Sequence, residues 1–360
     1  MKHVGMIFCL TVVLIESQAS QSWCQHLRAG RGRPGYKQKE NPTRPANIFG
    51  VRQENQTEVF VAGDVSQKVE QAVRDALAAA VDVWGSSGRF EYWVLGTDRA
   101  AALELAEVFC TRRVARGDMS EGDCRRDSSD KDHGFLHYQE IGANALATGR
   151  AHGSAGHNGG AEWGIHRMAS SLPLGLAGLL GISAENEQIT ILHEYWHSVQ
   201  HSFIQTKDHR RRRQLLGPVW FVEGSAVAMA ELTAPKLWQA GKLSSGKEGS
   251  RPWENLEKRM IKKMRFVQSK RQECSNLLPT TYGGDCGKLA YDSGGWAIAY
   301  LLHKFGDDVL LKSFHPMVET LGWERAFQRA FGQSPGQFVR EFERFIDLPL
   351  SEQVGILPQQ

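Results

Sequence analysis

Residues 189–199 read Ile-Thr-Ile-Leu-His-Glu-Tyr-Trp-His-Ser-Val, and no other stretch restricts the fold as much. The segment is largely apolar and lacks Pro and Gly, which predicts a buried helix. A buried helix rarely keeps three ionisable side chains unless something binds them. Four residues turn a helix by about 400°, so His193 and His197 lie about 40° apart on one face, one turn apart. Two imidazoles so placed suit a single zinc ion. Glu194, next to the first histidine, can take a proton from a water held on such an ion. A catalytic zinc with one open position needs three protein ligands, so the chain has to fold a third donor onto this helix.

His201 continues the four-residue spacing, but eight residues of helix rise about 12 Å, too far for His193 and His201 to share an ion. A third histidine in an H-E-x-x-H-x-x-G-x-x-H pattern is excluded, because Gln200 and Phe203 occupy the required positions. The better donor is Glu223, within Trp220-Phe221-Val222-Glu223-Gly224-Ser225-Ala226, a helical apolar stretch where a carboxylate is costly unless it meets a charge. Gly224 and Ala226 are expected to let this second helix approach the first closely. Glu231, two turns further on, is expected to lie beyond the ion. The expected centre is one Zn2+ held by His193, His197 and Glu223, with Glu194 as general base.

H-E-x-x-H followed by the Glu of W-x-x-E-G resembles the gluzincin metallopeptidases, a group that includes the M1-type aminopeptidases and the bacterial collagenases. His193-Glu194-Tyr195-x-His197 is similar to the H-E-Y-x-H of collagenases. Tyr291-Asp292-Ser293-Gly294-Gly295-Trp296, with Ala299-Tyr300-Leu301-Leu302 and Phe305-Gly306, is similar to the group's Y-x-x-G segment. The closing residues Trp323 to Phe327, Phe331-Gly332, Phe338 and Phe342 extend the likeness, which covers roughly residues 160–346. No G-x-M-E-N motif precedes the zinc helix, so no subfamily is assigned. The resemblance implies amide hydrolysis of a peptide or protein substrate, with Tyr291 donating to the oxyanion. Tyr282 competes for that role from a Gly-rich loop, whereas Tyr291 opens a helix.

The start of the chain reads as a signal peptide. Lys2 and His3 precede a ten-residue apolar run, Met6 to Ile15, and Ser17-Gln18-Ala19 supplies small residues for cleavage. The run is shorter than the roughly 20 residues that a bilayer span needs. Secreted or periplasmic placement follows, and with it disulfides. Cys110 with Cys124, and Cys274 with Cys286, would each close a short loop, leaving Cys24 free or joined to another molecule. The net charge of +3 is small, but residues 20–54 carry seven Lys/Arg against two Glu. That composition suits a flexible tail or pro-segment. Arg210 to Arg213 form a second basic run, read as a solvated loop; no nucleic-acid motif accompanies it, so no nucleic-acid partner is expected.

Apolar periodicity predicts a helix over 66–83, a strand over 89–95, and a helix capped by Thr97 or Asp98 that runs to about 112. Residues 113–135 read as a polar surface loop, 152–164 as a Gly/His-rich loop, and 161–170 as a strand. Helices are expected over 186–204, 219–233, 253–271, 291–305, 322–331 and 335–346. The fold class expected is α+β, a small N-terminal α/β region followed by a mostly helical zinc-metallopeptidase domain. The divisions are 1–19 signal peptide, 20–60 tail, 61–150 N-terminal region, 151–348 catalytic domain and 349–360 C-terminal tail. Two other readings stay open. One is a non-catalytic zinc-stabilised extracellular binding protein. The other is a basic binding protein using Arg210 to Arg213 and the stripe Trp253, Leu256, Met260, Met264 and Val267.

Overall fold

The computed structural model describes residues 56–86, 88–150, 155–157, 165–206, 208–244, 253–282 and 286–358. The expected signal peptide, most of the basic tail, Cys24 and most of the Gly/His-rich stretch lie outside these residues.

β1 (Gln56–Val61) leads through α1 (Gln67–Trp84) to β2 (Arg89–Val94), so the first strand straddles the boundary drawn at residue 60. Helices α2 (Arg99–Ala115), α3 (Glu121–Ser128) and α4 (Phe135–Thr148) follow, then β3 (Ala155–His157) and β4 (Ile165–Ser170). The strand order is β1-β2-β4-β3; the first three are parallel and β3 is antiparallel to β4. Ser66 caps α1 by accepting from the Val69 N–H, and Asp98 caps α2. The alternation of Phe90, Tyr92 and Val94 suggests one buried face, yet Glu91 and Trp93 are buried as well. Helices cover the second face: Trp93 meets Phe109 of α2 at 5.3 Å and Phe135 of α4 at 5.6 Å.

The stretch 113–135 departs from the expected surface loop. Residues 121–128 are helical, and Arg113 is fully buried, its guanidinium 2.5 Å from the equally buried Glu91. A buried charge is tolerated only with such a partner. Sequence reading also omits α4, and α6 (His209–Leu216) replaces the solvated loop expected around Arg210. Arg212 of that helix is buried and donates to the carbonyls of His201, Ile204 and Thr206, so it ties down the end of the preceding helix.

The second half is helical: α5 (Ala184–Ser202), α6, α7 (Val219–Gln239), α8 (Leu256–Lys270), α9 (Leu289–Phe305), α10 (His315–Leu321), α11 (Trp323–Phe331), α12 (Pro335–Ile346) and α13 (Leu350–Gln353). The fold is therefore α+β with a small sheet near the N-terminus and a mostly helical remainder. Leu256, Met260, Met264 and Val267 are at most 1% exposed, so the stripe on α8 is core packing. Disulfides join Cys110 to Cys124 and Cys274 to Cys286, an arrangement compatible with an extracellular location. No single helix among the described residues is long and apolar enough to cross a membrane.

His315 lies buried in this helical layer, its ring 5.4 Å from Phe203 and 5.9 Å from Trp196. Its Nε2 has no hydrogen-bond partner among the described residues. Burial pushes the imidazole down to about 3. The unfolded chain takes up this proton below about pH 6.5 and the native chain does not, so stability falls as pH drops from 6.5 towards 3. We expect His315→Leu to remove this component: between pH 6.5 and 5 the wild type should lose roughly 2 kcal/mol more than the variant. Urea unfolding at both pH values measures it, and equal pH dependence would mean that His315 is protonated or solvated in the native state.

Candidate metal centre

Helix α5 uses its faces for different tasks. Tyr195 and Trp196 turn towards the N-terminal layer. The Tyr195 hydroxyl donates to the Gly85 carbonyl at 2.8 Å, and the rings pack on Trp84 and Phe90. That anchorage fixes the helix rotation and turns His193 and His197 towards α7. Their Nε2 atoms are 3.1 Å apart, and each lies 3.3 Å from Oε2 of Glu223. All three residues are less than a tenth exposed. They are the His/His/Glu group among the described residues that could hold a metal ion.

These spacings are informative. A tetrahedral zinc with ligands at about 2.0–2.1 Å holds neighbouring donors roughly 3.3 Å apart. The three atoms are spaced like three corners of such a tetrahedron, as a group that could hold a metal ion requires. Burial disfavours charge on every member. Yet the Glu223 carboxylate raises His197 to about 10, and the two imidazoles hold Glu223 below the ordinary carboxylate range. Burial keeps His193 below its usual value. The Glu223 carboxylate thus stays ionised and a proton on His197 balances it.

The tautomer of His197 follows from its neighbours. The Gln200 amide nitrogen donates to the Val222 carbonyl at 3.0 Å and to the Ser225 hydroxyl at 2.7 Å. Its oxygen must then face His197 Nδ1, 2.7 Å away, so Nδ1 carries the hydrogen and Nε2 is left to face the other donors. Ser225 also accepts from the Trp196 indole and donates to the Val222 carbonyl, so Gln200 and Ser225 lock α5 against α7. Gln200 escaped the sequence reading. The available signal was a polar side chain, now 1% exposed, in a helix already too polar for its burial.

Gly224 does not serve the contact expected of it. A Cβ there would lie 2.3 Å from the Gly294 carbonyl carbon, so the close approach is between α7 and α9. That crossing brings Tyr291 to the centre, its ring stacked on His193 at 6.2 Å. Tyr282 arrives as well, its hydroxyl donating to Glu223 Oε1, the oxygen not shared with the histidines. The Cys274–Cys286 disulfide ties the segment carrying Tyr282 to the entry of α9. Glu194 is 3% exposed. Its charge acts on His197, and it adds to the upward shift that burial imposes on Tyr92 of β2.

Glu231 and His201 lie apart from the donors. Glu231 takes a bidentate pair from Arg259, at 2.7 and 3.1 Å, and a contact from Lys263 at 3.4 Å. Although burial works the other way, these cations bring its pKa down to about 2. Lys263 also reaches Asp292 at 3.4 Å, which holds the start of α9 beside α8. His201 faces Arg212 and His166. Comparison with protein-family models, curated proteins and solved structures returned no match.

Proposed function

We propose that the chain is a zinc-dependent hydrolase of the gluzincin type that cleaves peptide bonds, and that it works outside the reducing cytoplasm. The observation that carries this reading is the set of three buried donors spaced like three corners of a zinc tetrahedron, with a further buried carboxylate, Glu194, beside the first of them. The donor chemistry, two imidazoles and one carboxylate, suits zinc. A zinc ion held there would acidify a water and polarise the scissile carbonyl.

The remaining chemistry belongs to the chain's own residues. Glu194 takes the proton from the attacking water and passes it to the leaving nitrogen. Tyr291 donates to the developing oxyanion from a helix start pinned by the Lys263–Asp292 pair; a phenol stays protonated at neutral pH and so remains a donor. Tyr282 holds the orientation of Glu223 through its free carboxylate oxygen.

Metal analysis of purified protein should find one zinc per chain. A peptide library should be cleaved, with cleavage abolished by chelator and restored by zinc. Zinc binding with no cleavage of any peptide would replace this reading with that of a zinc-stabilised binding protein. The two tyrosines separate by their readouts. Tyr291→Phe should lower kcat by about 10²–10³-fold at unchanged zinc affinity. Tyr282→Phe should weaken zinc by about 10–100-fold, the usual effect of an outer-shell partner. The opposite pattern would exchange the two roles.

A further inference from the structure

A groove of about 650 Å³ lies where α6, the start of α7, the 276–280 segment and the α10–α12 turns meet. Trp220, Leu278 and Trp323 line it and are at most 8% exposed, so its base is apolar. Arg211, Arg213 and Arg325 also line it and are exposed, against a single carboxylate, Glu324. Arg325 is held in place by a 2.9 Å bond from its Nε to the Leu321 carbonyl. The Trp323 indole N–H has no acceptor among the described residues, an unmet donor in the groove wall.

The groove adjoins the metal centre. Trp220 precedes Glu223 by three positions on α7, a rise of about 4.5 Å. Thr280 lines the groove, and Tyr282, just beyond it, donates to Glu223. Backbone bonds from Val219 and Trp220 to the carbonyls of Thr280 and Pro279 fix these walls together.

We propose that this groove is a substrate exosite for an acidic peptide segment, a deepening that rests on the peptidase reading above. Carboxylates of the segment pair with Arg211, Arg213 and Arg325, while an apolar side chain packs on Trp220 and Trp323. At about 3.3 Å per extended residue, the segment lies a few residues from the bond cleaved. The chain's own N-terminal stretch is an unsuitable occupant: residues 20–54 carry seven Lys/Arg and two Glu, the same sign as the rim.

The test uses zinc-loaded Glu194→Gln protein and fluorescence anisotropy, with a labelled ten-residue peptide alternating Glu and Leu and its Lys/Leu counterpart. The acidic peptide should bind, and rising salt should weaken it. The Arg211→Glu/Arg325→Glu double variant should bind it at least roughly tenfold more weakly at unchanged zinc content. Equal binding of the Lys peptide, or unchanged affinity in the double variant, overturns the proposal. Because binding needs no turnover, the two readings fail separately. Cleavage with no acidic preference and no effect of the arginines removes the exosite and leaves the peptidase. Arginine-dependent binding to a protein that cleaves nothing removes the peptidase and leaves an acidic-peptide site.

Discussion

Glu194→Gln is expected to keep its zinc and lose peptide turnover by about 10²–10⁴-fold, the range typical of a general base. That corresponds to roughly 3–5 kcal/mol of transition-state stabilisation. The substitution preserves size and removes only the ability to accept and return a proton. Glu194 is not one of the three converging donors, so the metal has no reason to leave. Its carboxylate is 3% exposed, and the amide can keep donor and acceptor contacts in the same space. Two measurements decide the matter together: zinc per chain, and kcat/KM on a peptide cleaved by the wild type. Near-normal turnover at full zinc occupancy would sink the assignment of Glu194. Loss of both zinc and turnover would instead make Glu194 part of the metal's support.

The second large effect separates two carboxylates on one helix. Glu223→Ala should weaken zinc binding by more than the 10–100-fold typical of outer-shell partners, because it removes a donor that lies 3.3 Å from both histidines. The thermal readout follows by mass action. Zinc at about 100 times its Kd stabilises the wild type by roughly 2.7 kcal/mol, and the variant should lose most of that increment at the same zinc concentration. Glu231→Ala should do the reverse. It keeps the metal but leaves Arg259 and Lys263 short of a buried partner, at a cost of about 3–5 kcal/mol of fold stability. Zinc titration and urea unfolding on both variants form a crossed pair of measurements. If Glu223→Ala binds zinc as tightly as the wild type, the third donor lies elsewhere.

Much of the fold was legible because its signals are local. Period-3.6 apolar spacing marked α1 and the stripe on α8, largely apolar stretches marked α5 and α7, and Ser66, Asp98 and Ser334 carry side chains that cap helices. What stayed hidden depends on partners distant in sequence. α3 and α6 are short and rich in charge, so no apolar stripe announces them. Arg113 and Arg212 look like surface residues, yet they are buried because Glu91 and three backbone carbonyls receive them. β2 shows alternation but is covered on both sides by helices that no strand pattern reveals.

The candidate site divides along the same line. The sequence alone determined that His193 and His197 share a face, that His201 is out of reach, and that Glu223 is an anomalous charge in an apolar helix. Each of these follows from the fixed rise and turn of an α-helix and from the cost of burying charge. The tertiary structure is what brings that acid to the histidines. Helix packing carries Glu223 to them and delivers Glu231 to Arg259. It also decided that Gln200 sets the tautomer of His197, that Gly224 makes room for α9, and that Tyr282 and Tyr291 both reach the centre. Those arrangements depend on how helices separated by tens of residues cross, and a crossing is set by side chains from both partners, which no single segment contains.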